Sequence, residues 1–185
     1  MEKIEEKNIS YWLREGNQSK VTPSIKKIAG TFNGSDIEKI VQILDWEVNN
    51  ISKMKDFQKV KKIFASRTVD KMIKDKFSTG CHDDALIAAV LLRALGIPAK
   101  YLTGIDRCSP WNKGHCVVEA YIKGSWVLVD ASHASLFLIP QRSDFYKNNI
   151  IVSEGLDSWD NKIKTIKDWE EVSRKVVKSI GEIKL

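Results

Sequence analysis

The sequence predicts an α+β fold in which a helical lobe carrying a cysteine packs on an antiparallel sheet carrying a histidine and an aspartate. Helical apolar periodicity dominates the first half of the chain, and an almost wholly apolar helix follows it at residues 81–95. Three strand-like segments come next, near 98–105, 115–122 and 125–131. The chain has 185 residues, of which 43% are hydrophobic, so we expect one domain spanning 1–185 with a buried core.

The first half predicts several helices. Ser35 and Glu38 form the pattern of a capping box, which predicts a helix start. The apolar residues behind it share one face at helical spacing: Ile37, Ile40, Val41, Leu44, Val48 and Ile51. Trp46 lies opposite that face, so the main core does not account for it. Two shorter basic helices are expected around 57–64 and 69–73.

The apolar helix begins with a thiol. Cys81 follows Gly80, and from Ala85 to Leu95 the only charged residue is Arg93, which predicts a helix buried on most sides. The unpaired N–H groups and the dipole at a helix start favour thiolate over thiol. Cys81 is therefore a candidate nucleophile.

A hairpin predicts the partners of this thiol. If Lys123-Gly124 is a two-residue loop, Ile122 pairs with Ser125, and alternation places His115 and Asp130 on one face as diagonal neighbours. Cys116 then takes the other face. A loop one residue longer would separate His115 from Asp130. In this order of contact, a thiol can attack a carbonyl carbon, a histidine can move the proton, and a carboxylate can orient the histidine.

Two segments carry a family resemblance. GCHDDALIAAVLLRALGIPAKYLTGI and GHCVVEAYIKGSWVLVDAS resemble the nucleophile segment and the His and Asp strands of the transglutaminase-like superfamily. The resemblance covers about 35–132. It implies a papain-like core with Cys81, His115 and Asp130 as the catalytic residues and a thioester on Cys81. Residues 133–185 form a C-terminal extension without a recognised motif, ending in a helix over 167–180 with Trp169 on its apolar face.

The resemblance implies a thiol-dependent amide hydrolase or acyltransferase, and we favour a cysteine protease or peptidase acting on a peptide or protein amide. The alternative is a catalytically idle binding module that keeps the fold. The Cys81 backbone N–H is one oxyanion donor by geometry. In the animal enzymes a tryptophan upstream of the cysteine supplies another, which makes Trp46 a candidate. Trp111 is a second candidate, or a wall of the cleft.

Other classes of function fit less well. A metal site built from Cys81, His82, Cys108, His115 and Cys116 lacks the paired short spacings of zinc sites, so we expect no metal and no cofactor. The segment 52–77 has nine Lys/Arg against three Asp, but no aromatic interleaving, so nucleic acid is not the expected partner. No apolar run suggests a membrane span or an export signal, so a cytoplasmic location is expected. Nothing in the sequence indicates an oligomeric state.

Overall fold

A computed structural model describes residues 8–109 and 114–181, with side chains through Ser179. The helices are α1 (Pro23–Ala29), α2 (Asp36–Asn50), α3 (Phe57–Ile63), α4 (Val69–Asp75), α5 (Cys81–Ala94), α6 (Asp144–Asn148) and α7 (Ile166–Gly181). The strands are β1 (Ser52–Lys53), β2 (Phe77–Ser78), β3 (Ala99–Asp106), β4 (Gly114–Ile122), β5 (Ser125–Asp130), β6 (Ser135–Phe137) and β7 (Asn149–Gly155). None of the described helices is long and apolar enough to cross a lipid bilayer.

The main sheet has five antiparallel strands in the order β6-β5-β4-β3-β7. The predicted hairpin register is confirmed, because Ile122 pairs with Ser125. Lys123 and Gly124 form the two-residue loop with φ of 47° and 84°, and positive φ at both positions suits a tight hairpin turn. Strands β6 and β7 were not predicted. They come from the C-terminal extension and form the two edges of the sheet.

Helix α5 is the centre of the core, as its composition predicts. Its residues from His82 to Arg93 are buried. One side of α5 packs on β4, where Val118 and Ala120 face it, and the other sides contact α1, α2 and α4. A smaller apolar cluster on the opposite face of the sheet packs Val117 against Phe145 of α6. The predicted fold class is therefore confirmed: a helical lobe built on the nucleophile helix packs on an antiparallel sheet.

The buried face of α2 differs from the prediction. The capping box is present, since the Ser35 side chain accepts from the Glu38 N–H while the Glu38 carboxylate accepts from the Ser35 N–H at 2.7 Å. However, Val41 and Val48 are 44% and 65% exposed, and Ile43 is buried instead. The contact with α5 determines which face of α2 is buried. This face is rotated relative to the apolar face that periodicity alone predicts.

Buried hydrogen bonds join residues 18–19 and 156–157 to each other and to α5. The Asp157 carboxylate accepts from the Gln18 N–H at 2.8 Å and from the Ser19 hydroxyl at 3.1 Å. The Arg93 guanidinium donates to the Leu156 carbonyl at 2.7 Å and to Ser19 Oγ at 3.1 Å. The C-terminal extension is consequently fixed to the same helix that begins with Cys81.

Candidate active site

The helix start at Cys81 depends on a glycine. Gly80 has φ 128° and ψ −156°, a backbone conformation that side-chain-bearing residues rarely adopt. Glycine has no side chain that could cap the helix, so the first N–H groups of α5 remain available near the thiol. This geometry brings the positive end of the helix dipole to the Cys81 sulfur.

The predicted His–Asp pair is formed. His115 Nε2 lies 2.8 Å from Asp130 Oδ2, and the imidazole is near enough to Cys81 for the thiol to raise the pKa of His115. Since Asp130 occupies Nε2, Nδ1 is the ring nitrogen left for the sulfur. Cys81, His115 and Asp130 thus lie together, in the order of contact that thiol catalysis needs.

A second histidine shares this carboxylate. His133 Nδ1 lies 3.0 Å from Asp130 Oδ2, the same oxygen that His115 uses, and the two imidazole rings are 5.2 Å apart. His133 is exposed, and it follows β5 at the turn where the sheet continues into β6. It supports Asp130 from the solvent side.

The electrostatics favour an ion pair between thiol and imidazole. The neighbouring Cys116 thiol and the charge of His115 lower the pKa of Cys81 well below its ordinary value despite burial. Burial alone would lower the pKa of His115, but Asp130 and Cys81 outweigh it and raise that pKa to about 10. Burial would raise the pKa of Asp130, and the His115 hydrogen bond lowers it instead. Thiolate and imidazolium therefore stabilise each other near neutral pH.

Cys116 is a site residue that sequence reasoning missed. Alternation places it on the opposite face of β4 from His115, as predicted, but this is the face on which α5 lies, so Cys116 meets Cys81. The buried Tyr101 hydroxyl donates to Cys116 Sγ at 3.0 Å. The apolar character of that face, matching the apolar α5, was the signal that could have identified this contact.

Buried charges hold the first turn of α5. Asp83 accepts from the Thr79 N–H at 2.8 Å and from the Arg67 guanidinium at 2.6 Å. Asp84 forms an ion pair with Lys53. The predicted basic segment 52–77 thus supplies structural partners to the helix, because Arg67 is itself buried. The two aspartates have cationic partners of their own, which limits the negative charge they place on the nearby sulfur.

His82 also belongs to this framework. His82 is buried, with Nδ1 2.9 Å from Asp83 Oδ1 and Nε2 3.0 Å from Ser158 Oγ. The helix is buried on all sides at this point, and the C-terminal extension covers it. His82 therefore joins the nucleophile helix to residues 156–158.

Two cavities adjoin the reactive residues. The larger, about 630 Å³, is lined by His115, Asp130 and His133 together with Asp106 and Asp144. The smaller, about 170 Å³, is lined by Cys81 and residues of the C-terminal extension. Gly114, at the start of β4, lines both. The sulfur and the imidazole thus lie between two cavities that meet at one strand.

The remaining predicted candidates are placed as follows. Trp46 is half-buried and packs against the main core, and neither of the two cavities has it in its lining. Trp111 lies outside the described residues. Within 8–109 and 114–181, the side chains close enough to share a metal ion are His115, Asp130 and His133, whose ligand atoms lie within 4.8 Å of one another.

Solved structures of other proteins are similar to this fold. A cysteine protease, proposed as such, from Cytophaga hutchinsonii is 25% identical with a TM-score of 0.61, and the match covers 82% of this chain and 48% of that one. This chain therefore spans about half the length of that protein. A protease, also proposed as such, from Parabacteroides distasonis is 19% identical over 71% of this chain and 29% of its own, with a TM-score of 0.46.

LapG of Legionella pneumophila is 15% identical over 82% of this chain and 95% of its own, with a TM-score of 0.48. A search of curated proteins found no match. The model of the transglutaminase-like superfamily matches residues 26–131, more than half of the chain, and the Cys81 helix and the His115–Asp130 hairpin lie within that range. The chain belongs to the transglutaminase-like superfamily.

Proposed function

We propose that this chain is a cysteine protease or peptidase that cleaves amide bonds through a thioester on Cys81. The observation that carries the proposal is the arrangement of the site: Asp130 lies 2.8 Å from His115, and the thiol of Cys81, at the start of α5, is near enough to raise the pKa of His115. The similarity to the Cytophaga hutchinsonii protein supports proteolysis over cross-linking.

Each residue has a defined role in the proposed reaction. The Cys81 thiolate attacks the amide carbonyl carbon, and the backbone N–H of Cys81 donates to the developing oxyanion. The His115 imidazolium gives its proton to the leaving amine, which breaks the C–N bond and leaves the thioester. Neutral His115 then removes a proton from water, which hydrolyses the thioester. Asp130 keeps the ring oriented and stabilises its cationic form.

The test is the pH dependence of iodoacetamide labelling, mapped by mass spectrometry. Cys108 is exposed and serves as a control thiol in the same molecule. We expect Cys81 to react well below about pH 7, where an ordinary thiol with a pKa of about 8.5 is almost entirely protonated. In His115→Ala, Cys81 should lose its reactivity at low pH while Cys108 is unchanged.

Hydrolysis is tested separately. Wild-type protein should release new amino termini from a denatured protein substrate, and Cys81→Ser should not. If the pH midpoint of Cys81 labelling instead equals that of an ordinary thiol and stays the same in His115→Ala, the ion pair does not exist. In that case the binding-module alternative is favoured. If the ion pair exists but no amine is released, the proposal of a protease is wrong.

A further inference from the structure

The smaller cavity has a buried floor and a partly exposed rim. Its floor is formed by Thr103 and Cys116, whose strands β3 and β4 pair at these positions. Its rim includes Phe64, Ile166 and Trp169, which are only half-buried. Cys81 lies in the wall, so whatever enters past the rim approaches the nucleophile.

The wall is mostly apolar, and its buried histidine and tyrosine already have hydrogen-bond partners. Both ring nitrogens of His82 are engaged, by Asp83 and Ser158, and the Tyr101 hydroxyl donates to Cys116. None of the buried unpaired polar atoms found in the described residues belongs to this lining, and the lining contains no Lys, Arg, Asp or Glu. A charged or strongly polar group would lose its water without gaining a partner, so the cavity suits an aliphatic group.

The size limits the occupant to one side chain. The cavity measures about 170 Å³. Pockets for drug-sized ligands measure about 300–1,000 Å³, and one water occupies about 30 Å³ of liquid. The space therefore accommodates a branched or linear aliphatic side chain.

Trp169 is fixed against the strand that carries His115. A Cβ added to Gly114 would lie 2.2 Å from Trp169 Cζ2, so the absence of a side chain at Gly114 is what allows the indole to approach β4 this closely. The indole thereby closes the space between the C-terminal extension and β4. Trp169 belongs to α7, and Ile166 is the first residue of that helix.

We propose that this cavity binds the aliphatic side chain, of leucine or methionine size, of the substrate residue whose carbonyl Cys81 attacks. Trp169 and Ile166 set the size limit, so the C-terminal extension determines substrate preference. This inference rests on the proposed function, since it assumes that Cys81 is the nucleophile. It adds the class of substrate residue and the side chains that select it.

The test uses p-nitrophenyl esters of N-acetylated glycine, leucine, phenylalanine and aspartate as acyl donors. The Cys81 thiolate attacks the ester carbonyl, the C–O bond breaks, p-nitrophenolate leaves, and a thioester remains on the enzyme. The initial rate of p-nitrophenolate release gives the acylation rate constant. Because one methylene in an apolar pocket can change discrimination about 10-fold or more, we expect the leucine ester to react at least about 10-fold faster than the glycine ester. The aspartate ester should be slower than leucine by a similar or larger factor.

Two variants change the cavity in opposite directions. Trp169→Ala enlarges it, so the leucine preference should decrease and the phenylalanine ester should react faster. Ile166→Phe narrows it, so the leucine rate should decrease towards the glycine rate while the glycine rate is unchanged. The matched control is Trp126→Ala, which removes a half-buried tryptophan that packs against Trp12 and Tyr121 outside this cavity. It should keep the wild-type ratios.

The outcomes separate the two proposals. Iodoacetamide labelling of Cys81 is measured in every variant, because this small reagent reports the thiolate without needing the cavity. Equal rates for the glycine and leucine esters in wild type, with Cys81 still reactive to iodoacetamide, would overturn the inference and leave the proposed function standing. Unchanged ratios in both Trp169→Ala and Ile166→Phe would also overturn it. Absence of acylation by every ester, with iodoacetamide labelling that resembles Cys108, would instead contradict the proposed function.

Discussion

Replacing Arg93 with methionine tests how strongly one buried charge attaches the C-terminal extension to the nucleophile helix. Arg93 is buried, and its guanidinium donates to the Ala99 carbonyl at 2.8 Å and to the Leu156 carbonyl at 2.7 Å. A weaker bond of 3.1 Å goes to Ser19 Oγ. Methionine fills a similar volume but donates nothing, so these carbonyls lose their charged donor.

The size of the effect follows from two opposing contributions. Hydrogen bonds from a charged donor contribute about 1.5–3 kcal/mol each, so losing the two short ones removes about 3–6 kcal/mol. Part of this loss in the free energy of unfolding is offset, because methionine carries no charge and so avoids the desolvation penalty of a buried guanidinium. Burial lowers the pKa of Arg93 to about 10, which reflects that desolvation. We expect a net loss of about 2–4 kcal/mol in the free energy of unfolding.

The assay is thermal unfolding followed by circular dichroism. For a chain of this length each kcal/mol lowers Tm by about 2–4 °C, so Arg93→Met should lower Tm by about 4–16 °C. The same change at the exposed Arg142 is the control and should leave Tm unchanged. Arg93→Lys keeps the charge but cannot reach both carbonyls, so its Tm should lie between the two. A Tm for Arg93→Met within 2 °C of the control would refute the reasoning.

Three further predictions concern the thiol and its surroundings. Cys116→Ala removes the thiol beside Cys81, so the pH midpoint of Cys81 labelling should rise by roughly one unit. One pKa unit corresponds to about 1.4 kcal/mol of difference in interaction with the thiolate and the thiol. An unchanged midpoint would mean that Cys116 does not stabilise the thiolate. Gly114→Ala puts a Cβ 2.2 Å from Trp169, so it should lower the free energy of unfolding in denaturant by about 1–3 kcal/mol. It should also make tryptophan fluorescence more sensitive to acrylamide quenching. Quenching equal to that of the wild type would argue against the close contact. His133→Ala removes one of two hydrogen bonds to the shared carboxylate, and amide hydrolysis should slow about 2- to 10-fold; a complete loss would instead mark His133 as the catalytic base.

The pH profile of amide hydrolysis follows from the two shifted groups. The rate should rise as pH increases through the lowered pKa of Cys81, because the thiolate is the nucleophile. It should decrease again as pH approaches about 10, where His115 loses the proton that it delivers to the leaving amine. In stability terms, the raised pKa of His115 contributes fully below its unfolded value of about 6.5, and this contribution is lost as pH increases towards 10. Hydrolysis that is maximal well below the titration of Cys81 would contradict this order.

Local sequence signals were sufficient for the centre of the fold. The loop at Lys123-Gly124 fixes the hairpin register, and that register brings His115 to Asp130. Gly80 and the apolar residues after it define where α5 begins. These features depend on neighbours within one element or one hairpin, where spacing determines geometry.

Features that depend on distant partners could not be read in this way. Strand β7 has mostly half-buried, mixed residues, and its pairing with β3 joins positions some fifty residues apart. The apolar face of the last helix was predicted, but nothing local indicated that Trp169 would lie beside Gly114. Similarly, no local signal indicated that His82 would contact Ser158, which is 76 residues away.

The bond between Gln18 and Asp157 has a consequence for the nascent chain. These residues are 139 positions apart, so the ribosome needs about 7–28 s at 5–20 residues per second to add the second after the first. During that interval the helix bearing the thiol lacks the contacts with residues 156–158 that hold its first turn. Thiol reactivity should therefore mature only after residues 156–158 have left the exit tunnel and packed against the first turn of α5.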